Sequence, residues 1–235
     1  MKIGILAAGT NSGVLLEQFG SFARMTEEML AGAGFRFKTW DVSLGIFPDS
    51  SGECDGWIIT GSPASAYEPR EWIAKLESLV RAIDQAGIPL IGICFGHQLI
   101  AQALGGVVTK ADAGWGLGVD IYQPTETGQS LLGGNPLALH IIHQDQVTEL
   151  PERAELLAGS AFCQNGVLRY DQHIFTVQAH PEFGREYMFA ELPAIVPEYL
   201  TAAEAEKGLQ SLQCYAADSA PVVDAIIRVL KGGSL

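Results

Sequence analysis

The sequence predicts an α/β fold: an open, mostly parallel central sheet with helices on both faces. Three observations point there. Short apolar runs alternate with helix-length apolar stripes through the first half of the chain. The strand candidates are continuously apolar, as expected of a sheet covered on both sides. No internal repeat or low-complexity linker interrupts the 235 residues. One domain over 1–235 is therefore the simplest organisation, with a core over about 2–190 and a helical C-terminal extension over 191–235.

The elements follow in order. Residues 2–7 form a short apolar run that ends at Gly9-Thr10-Asn11, a first buried strand followed by a loop. The run is too short for the apolar core of an export signal. Residues 12–31 carry Leu15, Phe19, Phe22, Met25 and Met29 as one helical stripe that stops at Gly32 and Gly34. Residues 35–40 alternate as a strand. Trp57-Ile58-Ile59 is a buried run that opens into Thr60-Gly61-Ser62-Pro63. Residues 70–86 place Trp72, Ile73, Leu76, Leu79, Val80 and Ile83 on one helical face, with Gly87 as the stop. Residues 88–93 read as another buried strand, and 95–104 as a helix closed by Gly105-Gly106. Residues 107–168 change character to short strands and turns, a short antiparallel excursion whose clearest strand is 138–143. Residues 174–178 are a late buried strand. Residues 218–230 close the chain as a helix, with Pro221 in its first turn and Gly232 after its end.

Composition narrows the function. The formal charge is -13, from 14 Lys+Arg against 27 Asp+Glu, which argues against binding nucleic acid or an anionic membrane surface. Hydrophobic residues make up 48% and charged residues 17%, a balance that excludes intrinsic disorder. No run approaches the ~18 apolar residues of a membrane span. Cys54, Cys94, Cys163 and Cys214 are far apart and form no C-x-x-C pair. They read as reduced thiols of a cytoplasmic protein without a structural zinc site.

The chemistry concentrates in three segments. In Gly92-Ile93-Cys94-Phe95-Gly96 a buried strand meets a helix through a nucleophile flanked by glycines two before and two after. Such an elbow needs small neighbours because the nucleophile sits in a strained turn. It raises the sulfur at the carboxyl end of the sheet, where open α/β folds bind ligands. The helix that follows favours negative charge at the sulfur and offers a backbone N–H to an oxyanion. The second segment is Ala179-His180-Pro181-Glu182-Phe183, directly after a strand. Residues two apart in extended chain share a side, so His180 and Glu182 can converge as base and orienting carboxylate. Standing alone, His180 would be an ordinary histidine in a turn. The third is the small-residue loop 60–66, able to bring a second N–H close to a ligand. By itself it also fits a plain turn. Trp115, between Gly114 and Gly116, either roofs a pocket or covers the edge of the core. His97 lies within the elbow helix and fits simple packing there, His140 and His143 lie on or at the end of a strand, and His173 sits in a polar turn; Cys54, Cys163 and Cys214 have no plausible base nearby in sequence.

Taken together, Gly-Ile-Cys94-Phe-Gly-His-Gln and Gln-Ala-His180-Pro-Glu182-Phe resemble the class I glutamine amidotransferase family, whose fold is flavodoxin-like. The likeness runs from about residue 2 to 183. TGSPASAY, GICFGHQ, LGG, GWGLG and HQDQV are most similar to a free-standing branch related to the amidotransferase domain of GMP synthetase, which includes plant γ-glutamyl peptidases. No synthetase domain follows Phe183 in this sequence. The resemblance implies that Cys94 is the nucleophile, His180 the acid–base and Glu182 its orienting group. It implies an oxyanion hole from Phe95 and the Gly61-Ser62 loop, where many relatives carry Gly-Gly. Gln98, Gln144 and Asp145 would contact the amino-acid end of the substrate. No metal or organic cofactor is implied. Three functions stay open: a glutaminase supplying ammonia to a synthetase partner, a stand-alone hydrolase of γ-glutamyl amides or peptides, and a catalytically silent binding module. Elbow cysteines also occur in other flavodoxin-like enzymes, which do not usually carry the His180-Pro181-Glu182 segment.

Overall fold

The computed structural model describes residues 1–196 and 198–233; residues 197, 234 and 235 of the expected C-terminal extension lie outside the described residues. The chain runs β1 (Lys2–Leu6), α1 (Gly13–Phe19), α2 (Phe22–Met29), β2 (Arg36–Trp40), β3 (Gly56–Ile59), α3 (Glu71–Gln85), β4 (Leu90–Ile93) and α4 (Phe95–Ala103). It continues with β5 (Val107–Lys110), β6 (Gly116–Pro124), α5 (Glu126–Leu132), β7 (Leu137–His143), β8 (Asp145–Glu149), β9 (Ala154–Gly159), β10 (Val167–Tyr170) and β11 (Ile174–Val177). The last elements are α6 (Arg185–Ala194), α7 (Ala202–Cys214) and α8 (Ala220–Leu230).

The main sheet has the order β2-β1-β3-β4-β11-β10-β9-β6-β7. Its first five strands are parallel. They are short and apolar because both faces are covered. Ile58, Ile91 and Ile93 pack on one face with α5 and α8. Trp57, Ile59 and Leu90 pack on the other with α3 and α4. This period-two division of neighbouring residues between two cores is what the continuous apolar runs encode. The fold class expected from the sequence is the one observed.

Two expectations need correction. The stripe over 12–31 is not one helix. Gly20, at φ 78° and ψ −171°, ends α1, and the Ser21 hydroxyl then caps α2 by accepting from Arg24 N at 3.2 Å. An L-residue resists that backbone angle, and a serine after it offers a fresh N-cap. Residues 107–168 are also more than a short excursion. Strands β6, β7, β9 and β10 extend the main sheet antiparallel: β9, β10 and β11 pair in succession across short connections, while β6 joins β7 through α5 and pairs β9 with its far end. Strands β5 and β8 form a separate two-stranded sheet.

The last helices are tied to this frame. Gly118 of β6, at φ 89°, lies against α7: a Cβ there would come within 2.7 Å of the Gly208 carbonyl. Ser211 of α7 clasps the same strand, accepting from Val119 N and donating to Val119 O. Val222, Ile226, Val229 and Leu230 of α8 are fully buried against the sheet.

Candidate active site

Parallel pairing of β4 and β11 puts Ile93 level with Val177. The two chains therefore leave the sheet side by side, and Cys94 N–H donates to Val177 O at 2.9 Å. Cys94 stands at φ 51° and ψ −103°, between β4 and α4. This is the strained elbow expected from the sequence. Its glycines are required by contact. A Cβ on Gly92 would meet the Gly96 carbonyl at 2.6 Å, and one on Gly96 would meet the Ile59 carbonyl at 2.4 Å. Cys94 is 6% exposed and lines a cleft of about 520 Å³ together with His180.

His180 follows β11, held by donation of its N–H to His140 O at 2.8 Å. Its Nδ1 lies 2.8 Å from Glu182 Oε1, and the Glu182 side chain is 1% exposed. A carboxylate can only accept, so Nδ1 carries a proton in either charge state and Nε2 is the ring nitrogen left for the cysteine and the reaction. The ring stacks on Phe183 at 4.0 Å between centroids and 4° between planes. Burial alone would pull the His180 pKa down. The Glu182 carboxylate and the charge at Cys94 outweigh it and raise the pKa to about 10. At neutral pH the imidazole is therefore held as a cation.

The other expected residues gather around this pair. Phe95 begins α4, so its N–H has no earlier turn to bind and is available beside the sulfur. A Cβ on Gly61 would lie 3.0 Å from His180 Cε1 and 3.8 Å from the Cys94 Cβ, so this loop approaches the site as backbone. Ser62 lines the cleft while its hydroxyl accepts from Ala64 N at 3.2 Å. Gln98, Gln144 and Asp145 line the same cleft. The Gln144 carbonyl is taken by Ala111 N, and Gln98 Nε2 donates to the Asp145 carbonyl at 2.8 Å. The Asp145 carboxylate accepts from Ser65 Oγ and Tyr67 Oη, which ties the loop after β3 to the turn between β7 and β8. Trp115 lines the cleft as well.

Sequence reasoning missed Gln178. It is fully buried, with Nε2 3.6 Å from Cys94 Sγ and Oε1 accepting from Gln98 Nε2 at 3.1 Å. One signal pointed to it: two residues before His180 on an extended chain, it shares that residue's side. The remaining histidines each have a partner: His97 Nδ1 pairs with Thr176 Oγ1, His140 Nδ1 with the Phe183 carbonyl, His173 Nε2 with Asp84, and His143, which lines the cleft, places Nδ1 3.1 Å from the Asp145 carbonyl. Cys54, Cys163 and Cys214 are free thiols, the first two buried. Among the described residues no helix is long and apolar enough to cross a membrane.

Comparison with known proteins bears on the family and the fold. The family model described as glutamine amidotransferase class-I matches residues 14–191. γ-Glutamyl peptidase 3 of Arabidopsis thaliana is 32% identical over 197 residues, covering 80% of this chain and 79% of its own length. A protein of Leptospira interrogans named probable GMP synthase (glutamine-hydrolyzing) is 35% identical over 132 residues, 54% of this chain and 21% of that protein. A solved glutamine amido transferase from Methylobacillus flagellatus shares the fold, with a TM-score of 0.75 over 99% of this chain and 94% of its own, at 21% identity.

Proposed function

Because the chain belongs to the class I glutamine amidotransferase family, we propose that it cleaves the γ-glutamyl amide bond through Cys94, His180 and Glu182. Glutamine is the smallest such substrate. The sulfur attacks the γ-carbonyl carbon, and the resulting oxyanion is held by the Phe95 N–H and an N–H of the Gly61-Ser62 loop. His180 gives its Nε2 proton to the leaving nitrogen, releasing ammonia from glutamine or an amine from a larger amide. The product left on Cys94 is a γ-glutamyl thioester. Water then attacks that carbonyl as His180 takes its proton, and glutamate departs. Glu182 keeps the ring in one tautomer and supports its charge in both steps. Gln98, Gln144 and Asp145 bound the side of the cleft that would receive the amino-acid end.

The observation that carries this reading is the buried pair of His180 and Glu182, 2.8 Å apart, opening on a cysteine held at a strained elbow. The cleft, of about 520 Å³, is also lined by Trp115, Glu191 and Tyr199. That space supports a leaving group larger than ammonia, and with it a hydrolase that works alone on γ-glutamyl amides or peptides. The match to part of a GMP synthase supports a second reading, in which ammonia passes to a separate synthetase partner.

The test is steady-state glutamate release from glutamine, γ-glutamyl dipeptides and glutathione by the purified chain. Cys94→Ala should lower every rate by about a thousandfold or more while leaving the circular dichroism spectrum unchanged. Turnover of Cys94→Ala at the parent rate would overturn the nucleophile assignment. Faster release from γ-glutamyl peptides than from glutamine would select the stand-alone hydrolase. Slow, glutamine-selective release would select the partner-dependent reading.

A further inference from the structure

We infer that Gln178 is a further catalytic residue, donating a hydrogen bond to the Cys94 sulfur and linking it to the wall of the substrate cleft; this rests on Cys94 being the nucleophile. A chain of acceptors and donors fixes the direction. The Asp145 backbone carbonyl can only accept, so the group Gln98 presents to it at 2.8 Å is its NH₂. The second hydrogen of that NH₂ goes to Gln178 at 3.1 Å, so Gln178 presents its carbonyl oxygen there. The NH₂ of Gln178 is left facing Cys94 Sγ at 3.6 Å. Turning the Gln178 amide over would set NH₂ against NH₂ at one end and oxygen against sulfur at the other.

The polarity has a chemical consequence. A donor aimed at sulfur is satisfied by a thiolate and gains little from a thiol, and hydrogen bonds to charged groups are the strong ones. Gln178 is fully buried, and its own N–H is fixed to the Gly166 carbonyl at 2.8 Å. Its donor is therefore held in place rather than recruited during the reaction. The sulfur has cationic His180 as one partner and this amide as another. The far end of the chain is the Asp145 backbone, whose side chain is clasped by Ser65 and Tyr67 of the loop after β3. The nucleophile and the cleft wall thus share one hydrogen-bonded line.

The experiment measures the rate of Cys94 alkylation by iodoacetamide against pH, beside kcat and KM for glutamine. Cys94→Ala serves as the blank in both. Gln178→Met keeps the length and removes the donor. Its alkylation profile should move about one pH unit upward, and kcat should fall about tenfold or more with a smaller change in KM. Gln178→Glu keeps the shape and sets a carboxylate against the sulfur, so its profile should move further in the same direction. It also serves as the second variant if the methionine fails to fold by circular dichroism. Alkylation profiles that superimpose on the parent in a folded variant would overturn the proposal, since a packing role does not move them. Failure of the underlying reading looks different: there Cys94→Ala itself retains turnover.

Discussion

In the proposed reaction two side chains divide the work around the sulfur. Glu182 holds the proton on His180 by a single hydrogen bond of 2.8 Å, and its carboxylate opposes the burial that pulls the ring toward the neutral form. Glu182→Gln keeps the shape and removes the charge. It should lower kcat by about a hundredfold, less than Cys94→Ala, because it disturbs orientation rather than removing the attacking atom. The pH profile gives the sign. Glu182 raises the His180 pKa, so its loss should move the alkaline limb of kcat/KM to lower pH. An unmoved alkaline limb would refute that role. At this scale the three residues of the proposed reaction were legible in the sequence, because each lies in a local motif. Gln178 and the clasp on Asp145 were not. They join residues 84 and 80 positions apart, and only the register of β4 on β11 and the packing of two loops bring them together.

Elements carry constraints that single side chains do not. The elbow works because α4 lies flat on β3, with the Gly96 backbone against the Ile59 carbonyl. Gly96→Ala should destabilise the protein by about 1–3 kcal/mol, read as a lower urea midpoint, and should lower activity with it. A midpoint equal to the parent would show that β3 and α4 can part without cost. The parallel half of the sheet was readable from its apolar runs. The break of the 12–31 stripe was marked by Gly20-Ser21, yet the apolar spacing continues across it: Leu15, Phe19, Phe22 and Met25 all join one cluster around Phe183 and Tyr187. Periodicity reports which face is buried and is silent on whether the backbone is continuous. The antiparallel half was hard to read for a related reason. Its strands mix buried and partly exposed positions, as in β6 and β9.

Across the whole molecule, buried histidines set opposite limits on stability. His97 and His143 are held neutral, burial pushing each pKa down to about 3 from the ordinary 6.5. Below about pH 6.5 the unfolded chain takes up protons at these positions and the folded one does not, so stability falls as pH falls toward 3. His180 behaves in reverse. Its pKa of about 10 in the folded state means that its contribution is complete below about pH 6.5 and is lost as pH rises through 10. Thermal unfolding should therefore show greatest stability near pH 6.5, with Glu182→Gln flattening the alkaline side. A melting temperature that climbs steadily from pH 6.5 to 9.5 would contradict the assignment.

The interleaving of β4 with β11 also bears on how the chain is made. Cys94 emerges from the ribosome 84 residues before Gln178, the residue that touches its sulfur. At ~5–20 residues per second that interval is on the order of ten seconds. Until β11 arrives, the strand ahead of the cysteine has only β3 beside it, and α8 comes later still to cover the same strands. A nascent chain thus carries an unassembled cysteine while 84 of its 235 residues are added, and the sulfur meets the groups that surround it only once β11 and the segment after it have been made.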